Sequence, residues 1–514
     1  MIGSVSYRIS RRYASLSFPR MDPYKHWTRE ELIARLQHLT ANQPPEKPEK
    51  EAHRPNDGFN FDAYPRRKIA LKVSYNGVHH GGFESQAYGS LPTVEGTLFD
   101  ALVHARLIDP AKGLQGCGWE KCGRTDVGVS GAGQVVSFWI RSALGSKLVK
   151  GATSGDALHP PSEDASVIQD EDGPGLEGDF GDLGDLTDEA PSNSSLSATP
   201  ASSALTDDDE IGYVPKLNSL LPPTIRVLSW APVPDDFSAR FHCKWRHYKY
   251  FFSPAGLDLP AMRDAAARLV GLHDFRNLCR IDPSKQQTVF LRRILAASID
   301  PVDPADPRPD ALLVFNLRGT AFLYNMVRHI MAVLFLVGAR LERPSIVDAL
   351  LNADPAAPRP ASRPDEPAPP VVTGRPEYQI ADPQPLVLWE CGYDAADAPP
   401  WRAAPSDGDT PNVTLASVLA ARDRAQVAAA LADHFARALS VHMPLPVGAG
   451  GVPQVPLGGG ASRRWTTYTP LLRRKRLRTP EEINERWRLT KGAKRAERKA
   501  AAAATTEVQD DGGE

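Results

Sequence analysis

The chain has 514 residues, room for roughly two to four domains, and a formal net charge of only −2 at pH 7. Because acidic and basic residues lie in different segments, this small charge does not exclude a nucleic-acid partner. The five cysteines form no C-x-x-C pair, which argues against a zinc site, and their odd number argues against a secreted disulfide framework. The apolar run 330–339 is shorter than the roughly 20 residues that cross a bilayer, so no membrane segment is expected.

Residues 1–21 resemble an organellar leader. Arginines, serines and apolar residues alternate there, and no acidic residue precedes Asp22. Met21 offers a second start, so one gene could supply a mitochondrial form through residues 1–20 and a form without the leader. A short basic tail without a targeting role explains the same pattern. Residues 22–66 are predicted to form a short helix, capped by Thr28, and a linker.

A first folded unit is predicted over residues 67–150. It opens with an alternating strand at 69–75 and continues with a helix from Thr93. The loop 122–130 follows, in which Gly123 and Gly128 would allow special backbone angles around Asp126 before a buried strand begins at Val135. An aspartate in such a turn can simply accept backbone hydrogen bonds, but a tight loop on rigid structure is also how a carboxylate is aimed at a substrate.

Residues 151–212 are predicted to be a disordered acidic insertion. The stretch 151–215 contains no Lys or Arg and 16 Asp or Glu, and it is rich in Gly, Ser and Pro. Such a segment cannot bury enough apolar surface to offset its ordering entropy. A solvated loop extension is one interpretation; a mimic of RNA that competes for a basic groove is the other.

Residues 213–400 are predicted to form a second subdomain in which strands and helices alternate. The predicted strands span 225–230, 241–252, 290–299, 311–317 and 386–389, and the predicted helices span 260–270 and 321–339. The two subdomains together indicate an α+β fold with mixed or antiparallel sheets and flanking helices. Along the second strand, period-two alternation would create one basic and aromatic face, made of His242, Lys244, Arg246, Tyr248 and Tyr250.

The last segments differ sharply in composition. Residues 401–462 are rich in Ala and Gly and include a predicted helix at 415–440. Residues 463–514 form a basic tail, with 14 Lys or Arg against 4 Asp or Glu between 463 and 499. This tail is predicted either to be solvated or to be an RNA-contacting arm, in which Trp465, Tyr468 and Trp487 could stack on bases.

The loop around Asp126 resembles the catalytic signature of the TruA-type tRNA pseudouridine synthases, G-R-T-D-x-G-V-x-x-x-G-Q-V, at every fixed position. The resemblance recurs in chain order in four further segments, 233–241, 246–250, 271–277 and 321–330. It implies the pseudouridine synthase fold, with two mixed or antiparallel-sheet subdomains and a catalytic cleft between them. It also implies tRNA as the partner, a homodimer, and a reaction that needs no metal or other cofactor.

The resemblance also implies roles for four residues. Asp126 would be the nucleophile, Arg328 would pair with it and lower its pKa, and Arg124 would assist base flipping. Tyr248 would bind the extruded base and could assist proton removal. Arg328 could instead be satisfied by helix carbonyls or solvent. The atom that Asp126 attacks, C1′ of the ribose or C6 of the base, stays open.

His273 lies in a family-like G-x-H-D-F segment, and a hydrogen-bonded core histidine is favoured over a catalytic base. Several further segments, including 276–282 and 468–477, resemble the eukaryotic branch that modifies tRNA positions 38 and 39, with the nucleus and cytoplasm as expected locations. Two alternatives remain: a catalytically silent RNA-binding or RNA-folding protein, and the same reaction at other tRNA or mRNA sites.

Overall fold

The computed structural model describes residues 59–85, 91–144, 210–308, 310–402, 413–442, 454–458, 461–464 and 467–495. The leader, the N-terminal helix and nearly all of the acidic insertion that the sequence predicts lie outside these residues. The chain from Asn60 onward forms one compact unit.

Strands supply the framework of this unit. They are β1 (Arg66–Tyr75), β2 (Glu120–Lys121), β3 (Ser130–Arg141), β4 (Ile225–Pro232), β5 (Cys243–Phe252), β6 (Gly271–Asp274), β7 (Leu291–Pro301), β8 (Leu313–Gly319), β9 (Leu386–Tyr393), β10 (Gln454–Gly458) and β11 (Ala461–Arg464). The helices are α1 (Val94–His104), α2 (Gly113–Gly116), α3 (Tyr213–Leu220), α4 (Leu259–Ala267), α5 (Met326–Gly338), α6 (Ile346–Leu351), α7 (Val413–His442) and α8 (Pro480–Trp487).

One nine-stranded mixed sheet runs through the unit, in the order β4-β1-β3-β9-β5-β8-β7-β6 with β2 on β3. Its strand pairs are antiparallel except β3 and β9, which are parallel where Ser130 faces Val387. The α+β class with mixed sheets is confirmed. The N-terminal and C-terminal halves share this sheet and meet at β3 and β9.

Separate apolar cores cover the two halves of the sheet. In the first, Leu98 and Leu102 of α1 pack on β1 and β3, and Thr93 caps the helix by accepting from the amide of Gly96 at 3.1 Å. Tyr213 and Trp230 belong to this core, so residues 213–232 pack with the N-terminal half, unlike the predicted boundary at 213.

The second core is built around α5. All of its residues except Arg328 are buried, against α4 and the strands β5, β7 and β8. The predicted helix 321–339 begins only at Met326, because Asn325 has a φ of +57° and interrupts it. Within the described residues, no helix combines the length and apolarity needed to cross a membrane.

Candidate active site

Asp126 lies in the loop between β2 and β3. Gly128 has a φ of +83°, a left-handed conformation that favours glycine, and the amide of Val129 donates to the Asp126 carbonyl at 3.1 Å. The buried side-chain amide of Gln134 donates to the carbonyl of Gly123 at 2.6 Å. The expectation that Gly123 also needs a special conformation is wrong, since its φ is not positive and a Cβ there would meet no atom within 4 Å.

Thr125 fastens the same loop to β1. Its hydroxyl lies 2.8 Å from the hydroxyl of Tyr75, and its carbonyl accepts from the amide of Phe83 at 3.2 Å. The Tyr75 ring occupies the space where Gly131 lacks a side chain, because a Cβ there would lie 2.5 Å from the ring. The residue beside Asp126 is therefore held by a buried strand.

Two side chains from the start of α5 hold the carboxylate of Asp126. Nη1 of Arg328 lies 3.6 Å from Oδ2, while Nε of the same guanidinium donates to the carbonyl of Ala381 at 2.9 Å. The side-chain amide of Asn325 donates to the same Oδ2. The structure thus brings Arg328 and Asp126 together. Both side chains are largely buried, with exposed fractions of 14% and 23%.

The pKa of Asp126 lies above its ordinary value. Burial raises it, and this effect outweighs the lowering by the charge of Arg328, the hydrogen bond from Asn325 and the charge of Arg280. The expectation that pairing with Arg328 would leave the pKa lowered is therefore wrong. That expectation considered the charge of Arg328 but not the desolvation of the Asp126 carboxylate, which depends on the folded surroundings.

Arg280 and Asn325 are site residues that sequence reasoning missed. The guanidinium of Arg280 lies 5.5 Å from the centre of the Tyr324 ring, and its backbone amide donates to the Tyr324 carbonyl at 2.9 Å. The two residues lie within segments that resemble the family, 276–282 and 321–330. The resemblance indicated that these segments contribute to the site, but it did not indicate which of their side chains face Asp126.

Arg124 is directed elsewhere. Its guanidinium lies 3.1 Å from the carboxylate of Glu84, and the two side chains are 42% and 39% exposed. Glu84 also lies 3.0 Å from Lys121. Arg124 is therefore placed on the surface beside the loop, paired with an acid, and not against Asp126.

Tyr248 lies on β5, opposite Leu388 of β9 and Leu317 of β8. Its ring contacts Phe322 edge-on at 4.8 Å between centres. Burial raises the pKa of its phenol, and the nearby groups Cys391 and Tyr75 raise it further. The phenol is therefore protonated at neutral pH, which suits a hydrogen-bond donor and a packing surface but not the predicted assistance in proton removal.

Comparison with known proteins identifies the family. A family model described as "tRNA pseudouridine synthase" matches residues 265–394, which include α5 and Arg328. The tRNA pseudouridine(38/39) synthase of Saccharomyces cerevisiae is 32% identical over 395 residues, 73% of this chain and 72% of the yeast protein. The chain belongs to the tRNA pseudouridine synthase family.

Other relatives of this synthase family extend the comparison. The human tRNA pseudouridine(38/39) synthase is 36% identical over 341 residues, 65% of this chain and 57% of the human protein. The tRNA pseudouridine synthase A of Methanothrix thermoacetophila is 30% identical over 327 residues, 63% of this chain and 83% of the archaeal protein. The chain thus spans less than two thirds of the length of its mammalian relatives.

The basic and aromatic face predicted for β5 is mostly turned into the protein. From Arg246 to Phe252 the strand pairs with β8 without a break, so Arg246, Tyr248 and Tyr250 do share one face, but that face packs against the cores. The guanidinium of Arg246 is turned inward, where it donates to the backbone carbonyls of Cys122, Arg240, Cys243 and Thr320. Tyr250 is fully buried and packs against Phe335.

His273 fits the hydrogen-bonded interpretation, though on strand β6 and not at a helix end. Its Nε2 lies 2.9 Å from the carbonyl of Val270, and its Nδ1 lies 2.6 Å from Nη1 of Arg359. Burial lowers the pKa of its ring, so the neutral form predominates at neutral pH. Those contacts occupy both ring nitrogens and leave no atom for proton transfer.

The described part of the basic tail is docked and not a free arm. The Tyr468 hydroxyl donates to Glu342 at 2.6 Å, Leu471 is fully buried, and Asn484 of α8 donates to the carbonyl of Gln287 at 2.9 Å. Tyr468 is therefore committed to packing and cannot stack on a base. Trp465 lies outside the described residues.

Proposed function

We propose that the protein isomerises uridine to pseudouridine in tRNA, at positions 38 and 39 of the anticodon stem-loop. The observation that carries the proposal is the carboxylate of Asp126, partly buried on a loop fixed by Gly128 and held by Arg328 and Asn325. The names of the human and yeast relatives, which specify positions 38/39, support the choice of site. The archaeal relative's name supports the reaction without giving a position.

The arrangement of partners around Asp126 favours nucleophilic attack by one particular oxygen. Arg328 and Asn325 contact Oδ2, so we assign the attack to Oδ1, the oxygen that these two contacts leave open. Burial strips water from the carboxylate, and these two fixed partners replace it without reorganisation during the reaction. The raised pKa keeps the ionised carboxylate a more basic, and hence stronger, nucleophile than an exposed aspartate.

The target uridine must leave the helical stack to reach this pocket, at a cost of a few kcal/mol. Arg124, on the surface beside the loop, is suited to enter the vacated space once it leaves Glu84. Tyr248 would form the wall against which the extruded ring lies. Asp126 then bonds to C1′ or C6, the N-glycosidic bond breaks, and the uracil turns. Its C5 bonds to C1′, the bond to Asp126 breaks and the carboxylate is released. The C5 proton passes to water and N1 takes up a proton, so the product is an isomer of the uridine.

Position-resolved product analysis tests the proposal and separates it from the two alternatives. Purified protein is incubated with an unmodified tRNA transcript and with transcripts carrying cytidine at position 38, 39 or both, followed by pseudouridine-specific primer extension. We expect product at 38 or 39 that disappears with the matching cytidine. Product elsewhere would contradict the position only, whereas tight tRNA binding without product would indicate a silent RNA-binding protein.

We further propose a homodimer that grips one tRNA, located in the nucleus and cytoplasm, with residues 1–20 directing a mitochondrial form. Family resemblance supports the dimer, and the composition of the leader supports the second location. Sedimentation of the full chain should give twice the chain mass.

Cells that express only Met21→Ala, or only a chain begun at Met21, should differ in the fraction of the protein found in mitochondria. Identical distributions would contradict a targeting role for residues 1–20.

A further inference from the structure

Three buried cysteines meet behind the loop that carries Asp126. Cys122 follows β2, Cys243 opens β5 and Cys391 lies on β9, and their sulfur atoms are all within 4.8 Å of one another. They come from three separate parts of the chain, so neighbouring positions in the sequence do not explain their meeting. The other two cysteines, Cys117 and Cys279, are equally buried but stand outside this cluster.

The surroundings of the three thiols are mostly apolar, with one cation and the hydroxyl of Tyr393 nearby. Ala70, Val135 and Leu388 pack against the cluster, while Arg246 reaches it from β5. Within the part of the chain that the structure describes, Arg246 forms no ion pair with a carboxylate. Its guanidinium is held by four backbone carbonyls, and its positive charge acts on all three sulfurs.

Sulfur binds a metal ion as the thiolate, so the cluster would need a cation that displaces the three thiol protons. A soft divalent ion supplies such a cation. The Zn–S distance is about 2.3 Å, which places two sulfurs on one tetrahedral ion about 3.8 Å apart, and the three sulfurs already lie within 4.8 Å of one another. Three thiolates and one Zn²⁺ carry a net charge of −1, which Arg246 balances. A harder ion such as Mg²⁺ prefers oxygen ligands and does not suit three sulfurs.

We propose that Cys122, Cys243 and Cys391 form a three-thiolate binding site for a single Zn²⁺ ion. The ion joins the loop before Asp126 to β5 and β9 and displaces the thiol protons on binding. Because Cys122 lies four residues before Asp126, occupancy stabilises the base of the candidate active site without taking part in its chemistry.

Metal stoichiometry tests the proposal on the full chain. Protein purified under reducing conditions is loaded with Zn²⁺, dialysed and analysed by mass spectrometry for metal content. We expect about one zinc per chain, lost in Cys243→Ala and Cys391→Ala but kept in the matched controls Cys117→Ala and Cys279→Ala. Absence of zinc from the unaltered chain, or equal zinc in all variants, would overturn the site.

A second measurement covers variants that fail to fold. Titration of the unaltered, zinc-free chain with Cd²⁺ should produce an ultraviolet sulfur-to-metal charge-transfer band that saturates at one equivalent. A chelator should lower the melting temperature of the zinc-loaded chain. A flat titration would contradict the proposal, as would peptide mapping that finds a disulfide between any two of Cys122, Cys243 and Cys391 in the purified protein.

Discussion

The side-chain amide of Asn325 donates a hydrogen bond to Oδ2 of Asp126, the oxygen that also faces Arg328. Asn325 reaches this position because its left-handed backbone, with a φ of +57°, ends the preceding loop and starts α5. Two residues at the start of one helix, Asn325 and Arg328, therefore fix a single carboxylate oxygen. The contact makes Asn325 a positioning residue for the proposed nucleophile.

Removing this amide should slow the reaction without unfolding the protein. We expect Asn325→Gly, which tolerates the left-handed backbone, to lower kcat about 10- to 100-fold, since a hydrogen bond to a charged group contributes about 1.5–3 kcal/mol. Single-turnover pseudouridine formation and tRNA affinity are measured together. Loss of affinity with an unchanged rate would place Asn325 in RNA binding instead.

The raised pKa of Asp126 predicts a definite pH dependence. The proposed nucleophile must be ionised, so kcat/KM should fall as pH decreases through this pKa. Removing the nearest cation in Arg328→Met should raise the pKa further and move the acid limb of the profile to higher pH, while Arg328→Lys should restore part of the shift. A profile that moves to lower pH in Arg328→Met would contradict this electrostatic account.

The same pKa has a consequence for stability. Because the folded state binds the Asp126 proton more tightly than the unfolded state, ionisation of this group should reduce stability as pH rises from about 4 through its folded pKa. The melting temperature of Asp126→Asn relative to the unaltered protein should therefore increase over this range. A difference that is constant with pH would mean that the fold does not disfavour ionisation.

The ion pair between Arg124 and Glu84 should restrain base flipping. If Arg124 must leave Glu84 to enter the RNA, Glu84→Gln should raise single-turnover kcat/KM by up to about fivefold, because an exposed pair contributes about 0.2–1 kcal/mol. Arg124→Ala should lower the same quantity. Equal losses in the two variants would indicate that the pair, and not the free arginine, is the active form.

Exposed cations on the docked part of the basic tail should supply nonspecific tRNA affinity. Exchanging Arg473, Lys475 and Arg478 together for Gln should weaken binding and reduce the slope of log affinity against log salt by about 2 to 3. As a control, the exposed Arg308 and Arg340, which lie outside the tail, are exchanged for Gln. Substitution is preferable to deletion from Arg463, which would uncover the buried Leu471. An unchanged slope would remove this segment from the RNA interface.

The sequence was informative where a function is carried by a local motif. The loop around Asp126 and the helix with Arg328 could be recognised because each is a short pattern, and the α+β class followed from alternating strands and helices. Asn325 and Tyr75 could not be assigned, because each contacts the loop across a large sequence separation. The equally distant pairing of Arg328 with Asp126 was expected only because the family resemblance supplied it.

Three-dimensional packing decided the remaining points. The sign of the Asp126 pKa shift depends on desolvation, which needs the surrounding structure. The alternation along β5 held from Arg246 to Tyr250, but which side of the strand is covered, and hence that Arg246 points inward, depends on the surrounding fold. Spacing rules for metal ligands detect cysteines that are close in sequence, so they could not find Cys122, Cys243 and Cys391, which lie far apart along the chain.

The most direct test of the central claim is the single-turnover rate of pseudouridine formation in tRNA by the unaltered protein, by Asp126→Asn, and by Asp100→Asn on the exposed side of α1. The three proteins should bind tRNA with similar affinity. The unaltered protein and Asp100→Asn should form product at equal rates, and Asp126→Asn should form none. Product from Asp126→Asn at the unaltered rate would contradict its assignment as the nucleophile.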